Sequence, residues 1–595
     1  MRKHLKKIIA LICCFTLSLG AFASLTACSS KEAKSYEIVY NLNYEGETAR
    51  TVTVPSGATV VDWQPDREGY SLIGWYTNAD CTRKYNFSKK IGADLNLYAK
   101  WSKNADTVIV TFDGNYRGKY ANTAAAVKVG DFIDETLAPQ VNRLGYEFTG
   151  WYKDSECLTE FDFNTRISED VTLYAGYKRD NSVQRDNEGN PIFNNITVNV
   201  WLADGFSNND NVMWNLAKAF NKDPRYKGKI TVNVNKNLTS QDFFSLRFQK
   251  TTEKNETDDM YYSVDEIYNL ANIEYSDSDW YEQASRECRV AGRLSSVPIV
   301  AGVPYLLYNK ALMAKYNGEN EMPTNYTEFS ALLKKAYEGE RNGNANFKSI
   351  VTCKDWPYTD VTSYAAFIQN DTDFYEYENG AYVNKWDEGS NDGVVTSLTN
   401  TYNMFGTYGE NNGLLGPSEW LDDTARQRII SGNSLMGIVN YPQTIIDLCE
   451  RNDVGVLPLS GLFADEGEHA NQIPVYTLGL SFYRAGGLSN TELAAAGVFA
   501  DYVSKNSYLF AQNGWYPMNK SVVESDKFQN SDNPLVAFLR KVGNPENFRT
   551  MDGHINSYLY IRDIAAKQYI LPVLQSNGKD IAERAVKMTA SMKSI

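Results

Sequence analysis

A chain of 595 residues is too long for one hydrophobic core, so several domains are expected, and an apolar fraction of 43% excludes a mostly disordered polymer. The net charge is −14, and the only strongly basic stretch lies before residue 8, so phosphate backbones and anionic bilayer surfaces repel the chain and no nucleic-acid partner is expected. Three histidines (His4, His469, His554) supply neither a histidine-built metal site nor a Ser/His/Asp triad. Beyond the leader region, Cys81, Cys157, Cys288, Cys353 and Cys449 show no CxxC spacing, so free thiols, no metal and no cofactor are expected.

Residues 1–27 read as an export leader, basic from Met1 to Lys7 and apolar from Ile8 to Ala23, too short for a comfortable transmembrane helix. The leader closes on Leu25-Thr-Ala-Cys28, which resembles the lipobox of bacterial lipoproteins. That resemblance implies cleavage before Cys28 and a diacylglycerol anchor on its sulfur. The protein would then sit on the extracellular face of a bacterial cell membrane, of the Gram-positive kind. Ordinary secretion with Cys28 incidental is the alternative. Residues 28–35 form a tether.

Two copies of one unit follow, at residues 36–102 and 106–178. Gly69-Tyr-Ser-Leu-Ile-Gly-Trp-Tyr76 matches Gly145-Tyr-Glu-Phe-Thr-Gly-Trp-Tyr152 without gaps, and the same offset pairs Cys81 with Cys157 and Leu97-Tyr-Ala99 with Leu173-Tyr-Ala175. Alternating runs such as Val108-Ile-Val-Thr-Phe112 predict strands. The Gly-Tyr-x-x-x-Gly-Trp-Tyr pattern resembles the internalin-type B-repeat (Listeria–Bacteroides repeat) of surface proteins. The resemblance implies a small β-grasp-like fold, with Trp75 and Trp151 as core residues and the repeats as a spacer. A glycan or partner site on the repeats is the competing expectation. Residues 179–195 are polar and read as a linker.

From Ile196 the pattern changes to alternating strands and helices, which predicts an α/β fold. Ile196 to Trp201 and Lys229 to Val234 read as strands around a helix at Val212 to Phe220, and Phe243 to Phe248 reads as helical. The run Pro298-Ile-Val-Ala-Gly-Val-Pro-Tyr-Leu-Leu-Tyr-Asn-Lys310 is broken by Gly302 and Pro304, so two short strands meet there at a bend that suits a crossing between lobes. The ordered set Tyr305-Leu-Leu-Tyr-Asn-Lys, Pro323-Thr-Asn-Tyr-Thr-Glu-Phe, Ser431-Gly-Asn-Ser-Leu-Met-Gly-Ile, Val454-Gly-Val-Leu-Pro-Leu and Gly514-Trp-Tyr-Pro517 resembles the solute-binding proteins of ABC importers, maltose/oligosaccharide type. Tyr441 stands where that pattern has Trp, and residues 354–420 are long and Asn/Asp-rich.

The resemblance implies an α/β two-lobed, periplasmic-binding-protein-like (type II) domain over 196–595. The first lobe would take about 196–302 and 470–512, the second about 303–469 and 513–595. It implies a carbohydrate ligand held between the lobes and handed to permease subunits of an ABC transporter. Rings at strand ends or in loops are the candidate sugar platforms: Trp201, Trp280, Tyr305, Trp356, Trp420, Tyr441, Trp515 and Tyr516. Asp204 is the candidate hydrogen-bonding acid. No catalytic residues are expected. Gly432-Asn-Ser-Leu-Met-Gly437 has one residue too many for a hydrolase elbow, and Asp371-Thr-Asp373 and Asp277-Ser-Asp279 lack a calcium loop's glycine and distal glutamate. A surface adhesin using the repeats and a glycan-active hydrolase are the rival functions.

Overall fold

The computed structural model describes residues 35–593 except 45, 47, 88, 105–106, 117–122, 203–206, 236–245, 251–260, 291–292, 353–357, 373–374, 379–380, 385–389, 408–420, 440–450, 485–486, 551–571 and 574–579. The leader, Cys28, Asp204, Trp356, Trp420 and Tyr441 therefore lie outside the described residues. Two compact units form, Met1–Ala105 and Asp106–Ile595.

The first unit is a sheet of β1 (Ser35–Asn41), β2 (Arg50–Pro55), β3 (Tyr70–Tyr76) and β4 (Leu95–Lys103) in the order β2-β1-β4-β3. The second unit opens on the same design: β5 (Thr107–Asp113), β6 (Thr123–Lys128), β7 (Tyr146–Tyr152) and β8 (Val171–Arg179), ordered β6-β5-β8-β7. In each copy the first and last strands pair in parallel at the centre and the other pairs are antiparallel, a β-grasp-like arrangement. Strand β5 alternates buried and half-buried residues, so Val108, Val110 and Phe112 face the core. Trp75 and Trp151 are buried in their cores, as read from the sequence. The Trp75 indole N–H is satisfied by the Trp63 carbonyl at 2.7 Å.

The duplication extends to backbone conformation and to contacts made with residues outside the matched motif. Gly74 and Gly150 both take φ +143 beside a register shift in the β3 and β7 ladders, a bulge that only glycine accommodates without strain. Arg67 lies over the rings of Tyr44 and Tyr70 (3.9 and 3.8 Å), and Arg143 lies over Tyr146 and Tyr116 (4.0 and 5.3 Å). Asn43 donates to the Cys81 sulfur and the Ala99 carbonyl, and Asn115 repeats this with Cys157 and Ala175. Among the described residues, Cys81, Cys157 and Cys288 form no disulfide.

The larger domain begins with β9 (Ile196–Leu202), β10 (Ile230–Asn235), β11 (Leu246–Lys250) and β12 (Tyr261–Tyr262). A small hairpin of β13 (Arg289–Val290) and β14 (Arg293–Leu294) follows, then β15 (Val297–Gly302) and β16 (Tyr305–Asn309). Next come β17 (Lys348–Val351), the hairpin β18 (Tyr375–Glu378) with β19 (Ala381–Asn384), β20 (Ser434–Val439) and β21 (Val454–Pro458). The last strands are β22 (Ile473–Pro474), β23 (Tyr476–Tyr483), β24 (Tyr516–Pro517) and β25 (Phe548–Arg549). Two main sheets result, β10-β9-β11-β23-β15-β24 with β12 on β23, and β17-β20-β16-β21. They are the cores of two lobes, so this is the expected two-lobed α/β domain after two β-rich repeats. Strands β15, β16 and β20 are buried along their whole length, as strands covered on both faces must be.

Three expectations are corrected. Residues 246–250 form strand β11, not a helix: they pair in parallel with β9 and antiparallel with β23, and those ladders override local helical periodicity. The chain has not left the first lobe at residue 513, because Tyr516 and Pro517 of β24 pair with Ala301 and Val300 of β15. The helix Pro534–Val542 is the segment that packs on β21 of the second sheet. Residues 179–195 are not a free linker: Val183 is buried in the large domain's core and Phe193 packs against it.

A candidate ligand site at a topological switch point

In the first sheet β10 and β11 lie on opposite sides of β9, both parallel to it, while β23 runs antiparallel between β11 and β15. The strand order therefore reverses at β9, and in open α/β sheets a ligand crevice lies beyond the carboxyl ends of the strands at such a point. The carboxyl end of β9 is Trp201-Leu202. Trp201 is half-buried, in register with Asn235 and Arg247, and the helix Ser207–Lys222 begins five residues after Leu202. Of the ring residues expected from the sequence, Trp201 is the one that the described structure places at the switch point with part of its surface open.

The hinge lies along the same end of the sheet. Strand β15 runs into β16 through Gly302-Val303-Pro304, crossing from the first sheet to the second. Strand β23 enters the first sheet beside it, with Tyr476 opposite Gly302 and Thr477 opposite Ala301. A methyl group on Gly302 would stand 2.2 Å from the Tyr476 ring, so the crossing strands touch only because residue 302 is glycine. A third strand closes the group, since β25 pairs with β22 in parallel.

Buried polar groups fasten these crossings. Glu287 is fully buried and its carboxylate accepts the Thr477 backbone N–H at 2.8 Å, while the Glu287 N–H donates to the Thr550 hydroxyl at 3.1 Å. The Thr550 N–H reaches the Gln283 carbonyl at 3.0 Å, and the Tyr364 hydroxyl donates to the Thr550 carbonyl at 2.9 Å. A single turn of the first lobe thus grips two of the crossing segments. The loop 459–472 is held to the second lobe by Gln369, also fully buried, which accepts from Phe463 N at 2.9 Å and donates to the Gln472 carbonyl at 2.9 Å. Neither Glu287 nor Gln369 is legible as a hinge residue in the sequence, because nothing in its neighbourhood marks it; a buried amide and carboxylate are found only through their partners.

The remaining rings are placed differently. Tyr305 is fully buried, edge-on to Phe538 at 4.9 Å. Trp515 meets Tyr476 edge-on at 5.9 Å, and Tyr516 is set between Phe528 and Phe548. Trp280 packs on Tyr275 at 5.6 Å. Trp280, Trp515 and Tyr516 are each 3% exposed or less, so like Tyr305 they offer no open face on which a pyranose could stack. Around the hinge the fold gathers Tyr305, Tyr476, Trp515 and Tyr516 as packing. Burial raises the phenol of Tyr281 to about 12 and that of Tyr516 further. Among the described residues no cluster of His, Cys, Asp and Glu could hold a metal ion, and no helix is long and apolar enough to cross a membrane.

The Listeria-Bacteroides repeat domain model matches residues 36–100 and 109–176. These two segments are Listeria–Bacteroides repeats. The chain is 34% identical across 148 residues to internalin H of Listeria monocytogenes serovar 1/2a, which is 24% of either chain. It is 32% identical across 149 residues to a protein of Evansella cellulosilytica named as a membrane protein, covering 24% of this chain and 22% of that one. The chain thus spans less than a quarter of the length of these relatives. Solved structures similar to the remainder include the GacH receptor of Streptomyces glaucescens GLA.O, determined unliganded and in complex with acarbose. That likeness has 16% identity and a TM-score of 0.47, and covers 67% of this chain and 97% of that one. Maltose-bound MalE3 of T. maritima is similar at 14% identity and a TM-score of 0.49, covering 67% and 99%. The strand order described above stands independently of these likenesses.

Proposed function

We propose that the chain is a lipid-anchored extracellular receptor that captures a sugar or oligosaccharide between two hinged lobes and delivers it to the permease of an ABC importer, without altering it. The observation that supports this reading is the strand reversal at β9, whose carboxyl end, with Trp201, lies at the same end of the first sheet as the crossing from β15 to β16. Such crossings permit the lobes to close on a ligand by hinge motion. A half-open tryptophan and the following Asp204 supply the two interactions a pyranose asks for, a ring face for its C–H surface and an acceptor for its hydroxyls. Trp356, Trp420 and Tyr441 complete the proposed site. Cys28 carries the anchor, and the repeats hold the domain away from the membrane.

The test is a thermal-shift screen of the mature protein against linear and branched oligosaccharides. A ligand at about a hundred times its Kd stabilises the native state by about 2.7 kcal/mol, enough to raise the melting point measurably. In calorimetric titration of the best ligand, Trp201→Ala should weaken binding by about 1–3 kcal/mol. Trp515→Ala should instead lower the melting point, because it empties a core site, with about 3–5 kcal/mol lost. Equal loss of affinity in the two variants would remove the distinction drawn between them.

A further inference from the structure

Three arginines from the second repeat and the segment after it converge on one helix end. The helix Val264–Ala271 stops at Asn272, which takes a left-handed conformation (φ 56); the Asn272 and Ile273 N–H groups cap the Asn269 and Tyr268 carbonyls, and the Leu270 carbonyl takes its donor from outside the helix. Arg185 donates to the Leu270 carbonyl at 2.7 Å and Arg179 to the Asn272 side chain at 2.7 Å. Arg143 reaches the Asn269 side chain at 3.4 Å. Positive charge at a helix C-terminus is favourable in addition to the hydrogen bonds. Asn272 in turn donates to Asn190 at 3.0 Å, and both Arg179 and Arg185 also donate to the Gly189 carbonyl, so residues 186–190 are held in the same knot.

A second patch lies at the start of the helix Asn490–Lys505. The Asn490 side chain donates to the Ser182 hydroxyl at 2.7 Å, and the Thr491 hydroxyl to the Ser182 carbonyl at 3.3 Å. Apolar contact adds to the two polar patches. Leu144 and Phe193 pack on the large domain's core and Val183 is part of it. Gly145 approaches the Leu270 side chain so closely that a methyl group would stand 2.3 Å from it. Repeat 1 has Lys103 where repeat 2 has Arg179, so the planar donor that spans Gly189 and Asn272 belongs to the second copy.

We propose that the second repeat is a rigid mount for the first lobe, fixed through the carboxyl end of the helix Val264–Ala271, and that it moves with that lobe as one body. The spacer role proposed above is thereby sharpened: any lobe closure displaces the second lobe relative to repeat 2, while the first lobe keeps its place. No ligand enters the test, so its failure leaves the binding reading standing.

The experiment is native-state trypsin digestion of the full mature chain, read by mass spectrometry. A docked segment opens only by local unfolding, so cleavage after Arg179 and Arg185 should be slower by roughly tenfold or more than after the exposed Lys227 of the same unit. The double variant Arg185→Ala with Asn272→Ala should bring cleavage after Arg179 up to the Lys227 rate. Should that variant fail to fold, hydrogen exchange on the unmodified chain decides, with amides 182–192 predicted to be protected like those of the helix Val264–Ala271. Cleavage of the unmodified chain after Arg179 as fast as after Lys227, free exchange across 182–192, or a folded double variant cut no faster than the parent would each overturn the proposal.

Discussion

Tyr268 and Glu287 are both buried polar side chains of the first lobe, and their partners give them opposite consequences. Glu287 holds Thr477 and Thr550 in place, so Glu287→Ala should cost about 1–3 kcal/mol by leaving the Thr477 N–H without its acceptor, read as a lower urea midpoint. Tyr268 is fully buried among Tyr275 and Phe482, and among the described residues its hydroxyl has no hydrogen-bond partner. Burial pushes that phenol well above its ordinary value. The folded state therefore keeps the proton that the unfolded state releases at about pH 10. The resulting stability is fully present below that pH and is lost as pH rises toward the folded value. Tyr268→Phe should leave stability at pH 7 unchanged or raised, and should flatten its decline above about pH 10. A loss at neutral pH as large as that of Glu287→Ala would show that the hydroxyl has a partner after all.

At the scale of elements, the hinge and the repeat bulges depend on glycine for different reasons. Gly74 and Gly150 need a positive φ, whereas Gly302 needs the missing side chain, because Tyr476 occupies that space. Gly302→Ala should therefore destabilise the domain by about 1–3 kcal/mol through overpacking. The double variant Gly302→Ala with Tyr476→Ala should cost less than the sum of the two single changes, since the clash disappears with the ring. Additive costs in the thermal unfolding of all three variants would place the strain elsewhere. The bend at Gly302 and Pro304 is legible in the sequence because the two residues interrupt an otherwise continuous apolar run. Strand β11 is not, because a short segment with apolar residues at helical spacing takes its conformation from β9 and β23 on either side.

For the molecule as a whole, the duplication is the most legible feature, since an ungapped run of aligned residues with paired tryptophans and cysteines arises from copying of a segment and hardly ever by chance. The Arg67 and Arg143 stacks are not legible, because their ring partners are scattered over each repeat and only the sheet assembles them. The same cause makes residues 179–195 look like a free linker. Their polar groups are spent on Leu270, Asn272 and Asn490, more than seventy positions away, and composition alone cannot distinguish a docked polar segment from a solvated one. Aromatic content misleads in the other direction: Tyr305, Trp280, Trp515 and Tyr516 are flat rings used for packing, while Trp201 owes its candidacy to its place at a strand end. The central claim, that the lobes trap a carbohydrate and release it intact, is met most directly by calorimetric titration of the mature protein with the best oligosaccharide from the screen, followed by recovery and mass analysis of the sugar. The account predicts one saturable site per chain and a sugar of unchanged mass. A shortened sugar, or no saturable binding across the whole panel, would contradict it.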